Sequence, residues 1–500
     1  MKKPDFLKLC FIGVVATAAF VGSRWMGAAQ APEFVEQNRA PRIFPDYNGV
    51  VIPPNIAPLN FKVEEPGVRY RVELRSSRGD PLTMSSRDSS IRIPAKRWRA
   101  LLQANAGEPL LCEVRVETAS GQWARFAPMT NLIAPEKIDS CLTYRRLRPQ
   151  YDHYSVLGVY QRDLESFEEK PLLENSEFHH GCLNCHTCLN HRPDTFVLLV
   201  RSSDMRTKSI LLARSNQLER VDKPISFLSW HPSGRLIAFS TNKFSILCHT
   251  LNTKETRDVY DARSALGIYR IDSNSIVMPP AIAKPDRNET WPAWSADGRC
   301  LYFSSAPVAS YQQILDIHYD LMRVSYDIEH DQWGEPETVI SAEQAGGSLC
   351  QPKVSPDGRF VLFSLCRYGM FPTYQPGSCL CALDLARGRW RRLESGNFLY
   401  DSYHSWSSNS RWIVVTSKRV DGLFGRPFIG YMDEDGGFHK PFLLPQEDPC
   451  YYETCLQSFN VPELVDGAIR FKESDFIKAL GNLGKAAPPA ATSPASYQEH

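Results

Sequence analysis

The sequence carries no excess of charge of either sign. Its 57 Lys+Arg face 56 Asp+Glu, a formal net charge of +1. A protein built to grip nucleic acid is usually lopsided toward basic residues, so that partner class is set aside. No G-x-S-x-G nucleophile elbow occurs, and no α/β segment follows the repeats described below, which argues against that hydrolase chemistry. No Gly-rich phosphate loop is present. Nothing marks the chain as an enzyme. Wholesale disorder is excluded by 43% hydrophobic and 23% charged residues. What is plentiful is Pro (36), Tyr (20) and Trp (10), which suits many short strands and turns better than a helical bundle. At about 150 residues per domain, 500 residues predict several domains, although a propeller can hold more in one unit.

Long apolar runs are also missing, except one at the start. Lys2 and Lys3 precede an apolar stretch from Phe6 to Val21, broken only by Lys8, and small residues follow at Gly27 to Ala31. Residues 1–31 therefore read as a secretory signal, or as an uncleaved anchor tethering the protein to the membrane. The rest is expected in the periplasm or cell envelope. Residues 32–48 read as a linker. Residues 49–135 alternate with period two, as in Tyr70-Arg71-Val72-Glu73-Leu74, and predict a small antiparallel β-sandwich with one short helix near Ala95–Gln103. Leu142, Tyr144, Leu147, Tyr151, Tyr154 and Leu157 fall at roughly helical spacing, so 136–193 reads as a helical connector.

From 194 to 470 the chain repeats. The unit Ser229-Trp230-His231-Pro232-Ser233-Gly234-Arg235 returns as Ala293-Trp294-Ser295-Ala296-Asp297-Gly298-Arg299 and as Lys353-Val354-Ser355-Pro356-Asp357-Gly358-Arg359. A worn copy is Ser405-Trp406-Ser407-Ser408-Asn409-Ser410-Arg411. An apolar run follows each. Strand, tight turn, strand is the reading, because Asp and Gly tolerate the turn geometry. The strands Phe196–Arg201 and Ser209–Ala213 suggest a further unit, and the stretch around Val461–Phe471 a closing one. A β-propeller is predicted, with six blades the expected number. The turn motif resembles the TolB-like family of propellers with WD40-like repeats, a resemblance of fold that says little about function. Residues 471–500 end in a low-complexity tail expected to be partly disordered.

One stretch stands apart. Between His179 and His191 lie three of the 14 Cys and four of the 12 His. Cys182-Leu183-Asn184-Cys185-His186 is C-x-x-C-H, the attachment signature of c-type haem. Two thiols on one turn can reach both vinyl groups of a porphyrin, and the next residue, His186, can serve as proximal iron ligand. One covalent haem c is the expected cofactor. Candidates for the second ligand are His179, His180, His191 and Met205, with His404 brought in by the propeller. The alternative is a structural Cys/His knot, held by zinc or a disulfide, with Cys188 included. An iron–sulfur cluster is disfavoured because Arg192 stands where a fourth thiolate would be, and no twin-Arg signal is present.

Further segments carry a wider resemblance: Val51-Ile52-Pro53-Pro54-Asn55-Ile56-Ala57-Pro58-Leu59-Asn60-Phe61, Tyr160-Gln161-Arg162, the C-x-N-C-H and Ser458-Phe459-Asn460-Val461-Pro462-Glu463-Leu464. Together with the propeller they resemble a family of exported bacterial proteins often labelled TolB-like or cytochrome c biosynthesis-related. The resemblance implies haem c on Cys182 and Cys185 with His186 as ligand. It also implies a His before the Val-Arg of the following strand, where this chain has Leu199. The expected function is electron transfer or redox sensing with a protein partner at the propeller face. The alternative is non-redox binding of a cell-envelope component.

Overall fold

A computed structural model describes residues 34–148, 156–204, 206–248, 257–394, 399–481 and 483. The segment expected to be a signal or anchor, the candidate ligand Met205 and most of the low-complexity tail lie outside the described residues. Among the described residues no helix is long and apolar enough to cross a membrane.

Residues 34–133 form an N-terminal domain of two sheets and one helix, Ala95–Ala104. Its larger sheet has seven strands and its smaller one three. Period-two alternation is realised in Arg69–Arg75, where every second residue from Tyr70 to Leu74 is buried. The segment expected to be a linker belongs to this domain instead. Phe34–Gln37 pairs with Trp123–Phe126, and Ile43–Phe44 pairs with Phe61–Val63.

The remainder is a β-propeller. Six antiparallel sheets follow one another, and the first strand of each touches the first strand of the next until the ring closes. Blade 2 begins at Cys182–Cys188, blade 3 at Ser226–Trp230, blade 4 at Arg287–Trp294, blade 5 at Ser348–Val354 and blade 6 at Ser402–Trp406. Blade 1 is assembled from both ends of the ring. Its three outer strands are Cys141–Leu147, Leu157–Asp163 and Glu169–Glu174, and its inner strand is Ser458–Val465. The expected helical connector is therefore wrong. The described part of that segment is strand with short 3₁₀ turns, and its apolar residues face neighbouring blades on both sides. The tail is also less empty than expected, because Glu473–Leu480 is a helix that buries Phe476 and Leu480 against blades 1 and 2.

The repeated turn works through one serine. In blade 4 the Ser295 hydroxyl donates to Asp297 Oδ1 at 2.6 Å and accepts from Cys300 N at 2.9 Å. Ser355 makes the same two bonds in blade 5, and Ser407 makes them in blade 6 with Asn409 in place of Asp. The next residue is left-handed in each, Gly298, Gly358 and Ser410. The tryptophans tie blades together. Trp230 Nε1 donates to the Thr187 carbonyl at 3.0 Å, and Trp406 Nε1 to the Lys353 carbonyl at 3.1 Å.

Candidate functional site

The C-x-x-C-H segment is the first strand of blade 2, so it lines the central channel. All six first strands lose register in their middle. Five of the breaks place one residue in the left-handed region: Phe227, Trp291, Gln351, Tyr403 and Val461. In blade 2 the break lies between Leu183 and His186. It has a chemical consequence. Side chains three apart on a straight strand point to opposite faces. The bulge adds a residue and turns Cys185 to the side of Cys182.

Cys182 and Cys185 both line one cavity of about 440 Å3 at the mouth of the channel, Cys182 from the packing between blades 1 and 2 and Cys185 from beside Phe227 and Trp291. Phe227, Phe244, Phe371, Tyr374 and Tyr403 supply aromatic wall, and Arg145, Arg201, Lys208, Arg257 and Lys418 supply positive charge. No Asp or Glu lines it among the described residues. Arg257 and Lys418 both lie 5.6 Å from the centre of the Tyr374 ring. Burial, with Arg201 beside it, pushes the Lys208 ammonium below its usual range. Burial raises the Cys185 thiol, while Arg145, Arg201 and Lys353 draw it back down. Five cations and no acid in the lining of the cavity give it a positive character among the described residues.

His186 faces elsewhere. Its Nε2 lies 2.9 Å from the Thr143 hydroxyl oxygen and 3.9 Å from Glu463 Oε2. It lines the narrow part of the channel and a small apolar cavity behind it, not the cavity of the two thiols. Burial, reinforced by Arg145 and Lys353, lowers its pKa to about 3, so the imidazole is neutral. The donor set for haem thus fits in two of three parts. The thiols share a roomy, cationic, aromatic cavity, and the motif histidine is held away from it.

The other candidates are scattered. His179 and His180 are exposed and left-handed at the end of a 3₁₀ turn. The His191 Nδ1–H donates to the Leu464 carbonyl at 3.0 Å. None of the three lines the cavity. Met205 falls outside the described residues. Leu199 does line the cavity beside Cys182, so the position where the resemblance implies a His is on its wall. No disulfide joins Cys182, Cys185 and Cys188 to one another, and among the described residues no three His, Cys, Asp or Glu gather as a metal site. Sequence reasoning missed the five cations, which come from blades 1, 2, 3 and 6 and share no motif. Lys353 and Glu463 were missed too. Their only signal was the place they hold after the bulge in aligned inner strands.

No protein-family model matches the chain, and no curated protein does. Solved structures similar to it include one described as TolB from Agrobacterium tumefaciens, at 15% identity, covering 65% of this chain and 98% of that one with a TM-score of 0.36. Hydrazine synthase of Kuenenia stuttgartiensis is 14% identical over 58% of this chain and 76% of that one, with a TM-score of 0.34. The tricorn protease is 12% identical over 69% of this chain and 33% of that one, with a TM-score of 0.35. Likeness at this level concerns the fold alone.

Proposed function

We propose that this propeller carries a covalent haem c on Cys182 and Cys185, seated in the mouth cavity, and serves one-electron transfer or redox sensing with a protein partner. The observation that carries the reading is the bulge that brings both thiols of the motif onto one cavity wall. When bound, the haem supplies a reversible one-electron couple. The chain's own residues do the rest. Arg145, Arg201, Lys208, Arg257 and Lys418 would meet the two carboxylates of the group, as charge-assisted bonds favour. Phe227, Phe371, Tyr374 and Tyr403 would pack on its plane and exclude water. His186 binds Thr143 rather than facing the cavity, so its role as proximal ligand requires the ring to leave that bond. The N-terminal apolar run supports export to the compartment where such attachment occurs.

The test is a haem stain on a denaturing gel with a pyridine haemochrome spectrum. The protein is exported in a host with c-haem maturation, beside Cys182→Ala/Cys185→Ala. A band that survives denaturation and vanishes in the double variant is expected. A colourless wild type would move the function to non-redox binding of an anion in the same cavity.

A further inference from the structure

Beyond the mouth cavity the channel narrows to a space of about 60 Å3. Water takes about 30 Å3 per molecule in the liquid, so the space suits two waters or a solute of about three heavy atoms. One side is closed by apolar stacking, with the rings of Phe227 and Trp291 3.6 Å apart between centres. The other side is polar. His186 Nδ1, Gln351 Nε2 and Glu463 Oε2 are buried there without a hydrogen-bond partner, and the ring nitrogens of His404 have at best weak contacts to the Leu362 and Gln351 backbone. His404 is only 3% exposed. Buried polar atoms are nearly always met, and this fold shows at Phe227 and Trp291 that the same positions accept apolar residues. A polar guest is what the arrangement lacks.

The charges set its class. Lys353 is the one cation lining the constriction; its ammonium makes no hydrogen bond among the described residues, and its charge draws the buried Glu463 carboxyl down against the effect of burial. Glu463 is the only acid, and its Oε1 already accepts from the Thr187 hydroxyl at 3.1 Å and Cys188 N at 3.0 Å. Gln351 Oε1 accepts from Tyr403 N at 2.8 Å, which turns its amide NH2 toward the remaining space. A neutral imidazole offers one N–H, so His404 gives a further donor. Access exists from the far face. Lys353, Ser405 and Glu463 also line a vestibule of about 420 Å3 bounded by the blade turns.

We propose that the constriction is a binding site for a small monovalent oxyanion of the formate class, held by Lys353, Gln351 and His404 and admitted from the vestibule. Cys185 and His186 line the edge of this site as well, so it is tested on the chain without haem, where its outcome does not depend on haem attachment.

The test titrates 13C-formate into the full chain made without haem maturation, read by NMR line width and calorimetry. Saturable binding at one site is expected. Lys353→Met should weaken it by about tenfold or more, the loss of one charge-assisted contact. Lys353→Arg should restore most of it, and Lys208→Gln in the mouth cavity should leave it unchanged. Benzoate, too large for the constriction, should not compete with formate on the wild-type protein, a result that needs no variant to fold. Absence of saturable binding overturns the proposal. So does loss in Lys208→Gln with none in Lys353→Met, or displacement by benzoate, since either would place the anion in the mouth cavity.

Discussion

Glu289 lies on the first strand of blade 4 and is 1% exposed. Its one polar contact is the Lys284 N–H, which donates to Oε2 at 3.0 Å. Burial lifts its pKa to about 7. The folded protein therefore holds a proton that the unfolded chain releases near pH 4.5. That contribution to stability is complete below about pH 4.5 and is lost as pH rises through 7. Glu289→Gln keeps the acceptor and cannot ionise. Its stability relative to wild type should rise between pH 5 and pH 8, by up to roughly 3 kcal/mol, in urea unfolding at a series of pH values. A difference that stays flat would mean that the buried carboxyl titrates normally. Single residues were unevenly legible. The S-x-D-G turn could be read because its bonds are local, from Ser295 to Asp297 to Cys300. Cys182 and Cys185 could be read as a pair, but not as a pair facing one cavity. That depends on a break in register against Phe196–Arg201, which no spacing rule reports.

The element that holds the ring shut is Ser458–Val465. It pairs antiparallel with Cys141–Leu147 and touches the first strands of blades 2 and 6. A chain ending at Gln457 should lack a cooperative thermal transition, because blade 1 loses its inner strand. A chain ending at Asp466 keeps that strand and loses Ile469, Phe471 and the packing of helix Glu473–Leu480. It should fold and melt at a lower temperature, since burial of Phe476 alone is worth about 3–5 kcal/mol. Circular dichroism melts of the two truncations check the contrast, and equal behaviour would show that closure is not decisive. The same element explains why blade 1 was misread as helical. From Leu157 to Arg162 every residue is buried, so no alternation marks the strand. The inner strand of the blade, Ser458–Val465, which pairs with Cys141–Leu147, lies some three hundred residues further along the chain. Blades 3 to 6 could be read because each carries its own turn and its own strands in order, whereas of blade 2 only the strands after residue 194 were, its inner strand Cys182–Cys188 being assigned to the connector.

At the scale of the molecule the N-terminal domain and the propeller share a core. One cluster of buried side chains runs from Ile52, Phe61 and Trp98 to Trp412, Phe428 and Phe442 of blade 6. Polar contacts seal the seam. Trp412 Nε1 donates to the Glu136 carbonyl at 3.2 Å, the Tyr431 hydroxyl to Glu136 Oε2 at 2.8 Å, and the Ser408 hydroxyl to Asp139 Oδ1 at 2.5 Å. Domains that share a core cannot unfold separately without exposing it. Scanning calorimetry should show one transition with calorimetric and van't Hoff enthalpies equal. Two resolved peaks would overturn that expectation. The two domains were legible from the change of pattern near residue 135, but their fusion was not, because Trp412 and Phe442 look like ordinary blade residues.

The late closing strand also sets a clock. From Cys185 to Ser458 is 273 residues. A chain made from its N-terminus at about 5–20 residues per second needs roughly 15–50 s to cover that interval. Throughout it the ring stands open at blade 1 and the two thiols can be approached from the side. Once Ser458–Val465 is in place, the mouth of the channel is the way that remains. If Cys182 and Cys185 are modified as proposed above, the reaction should go most easily before Ser458–Val465 closes the ring, and a full-length protein folded first should be a poor substrate for it.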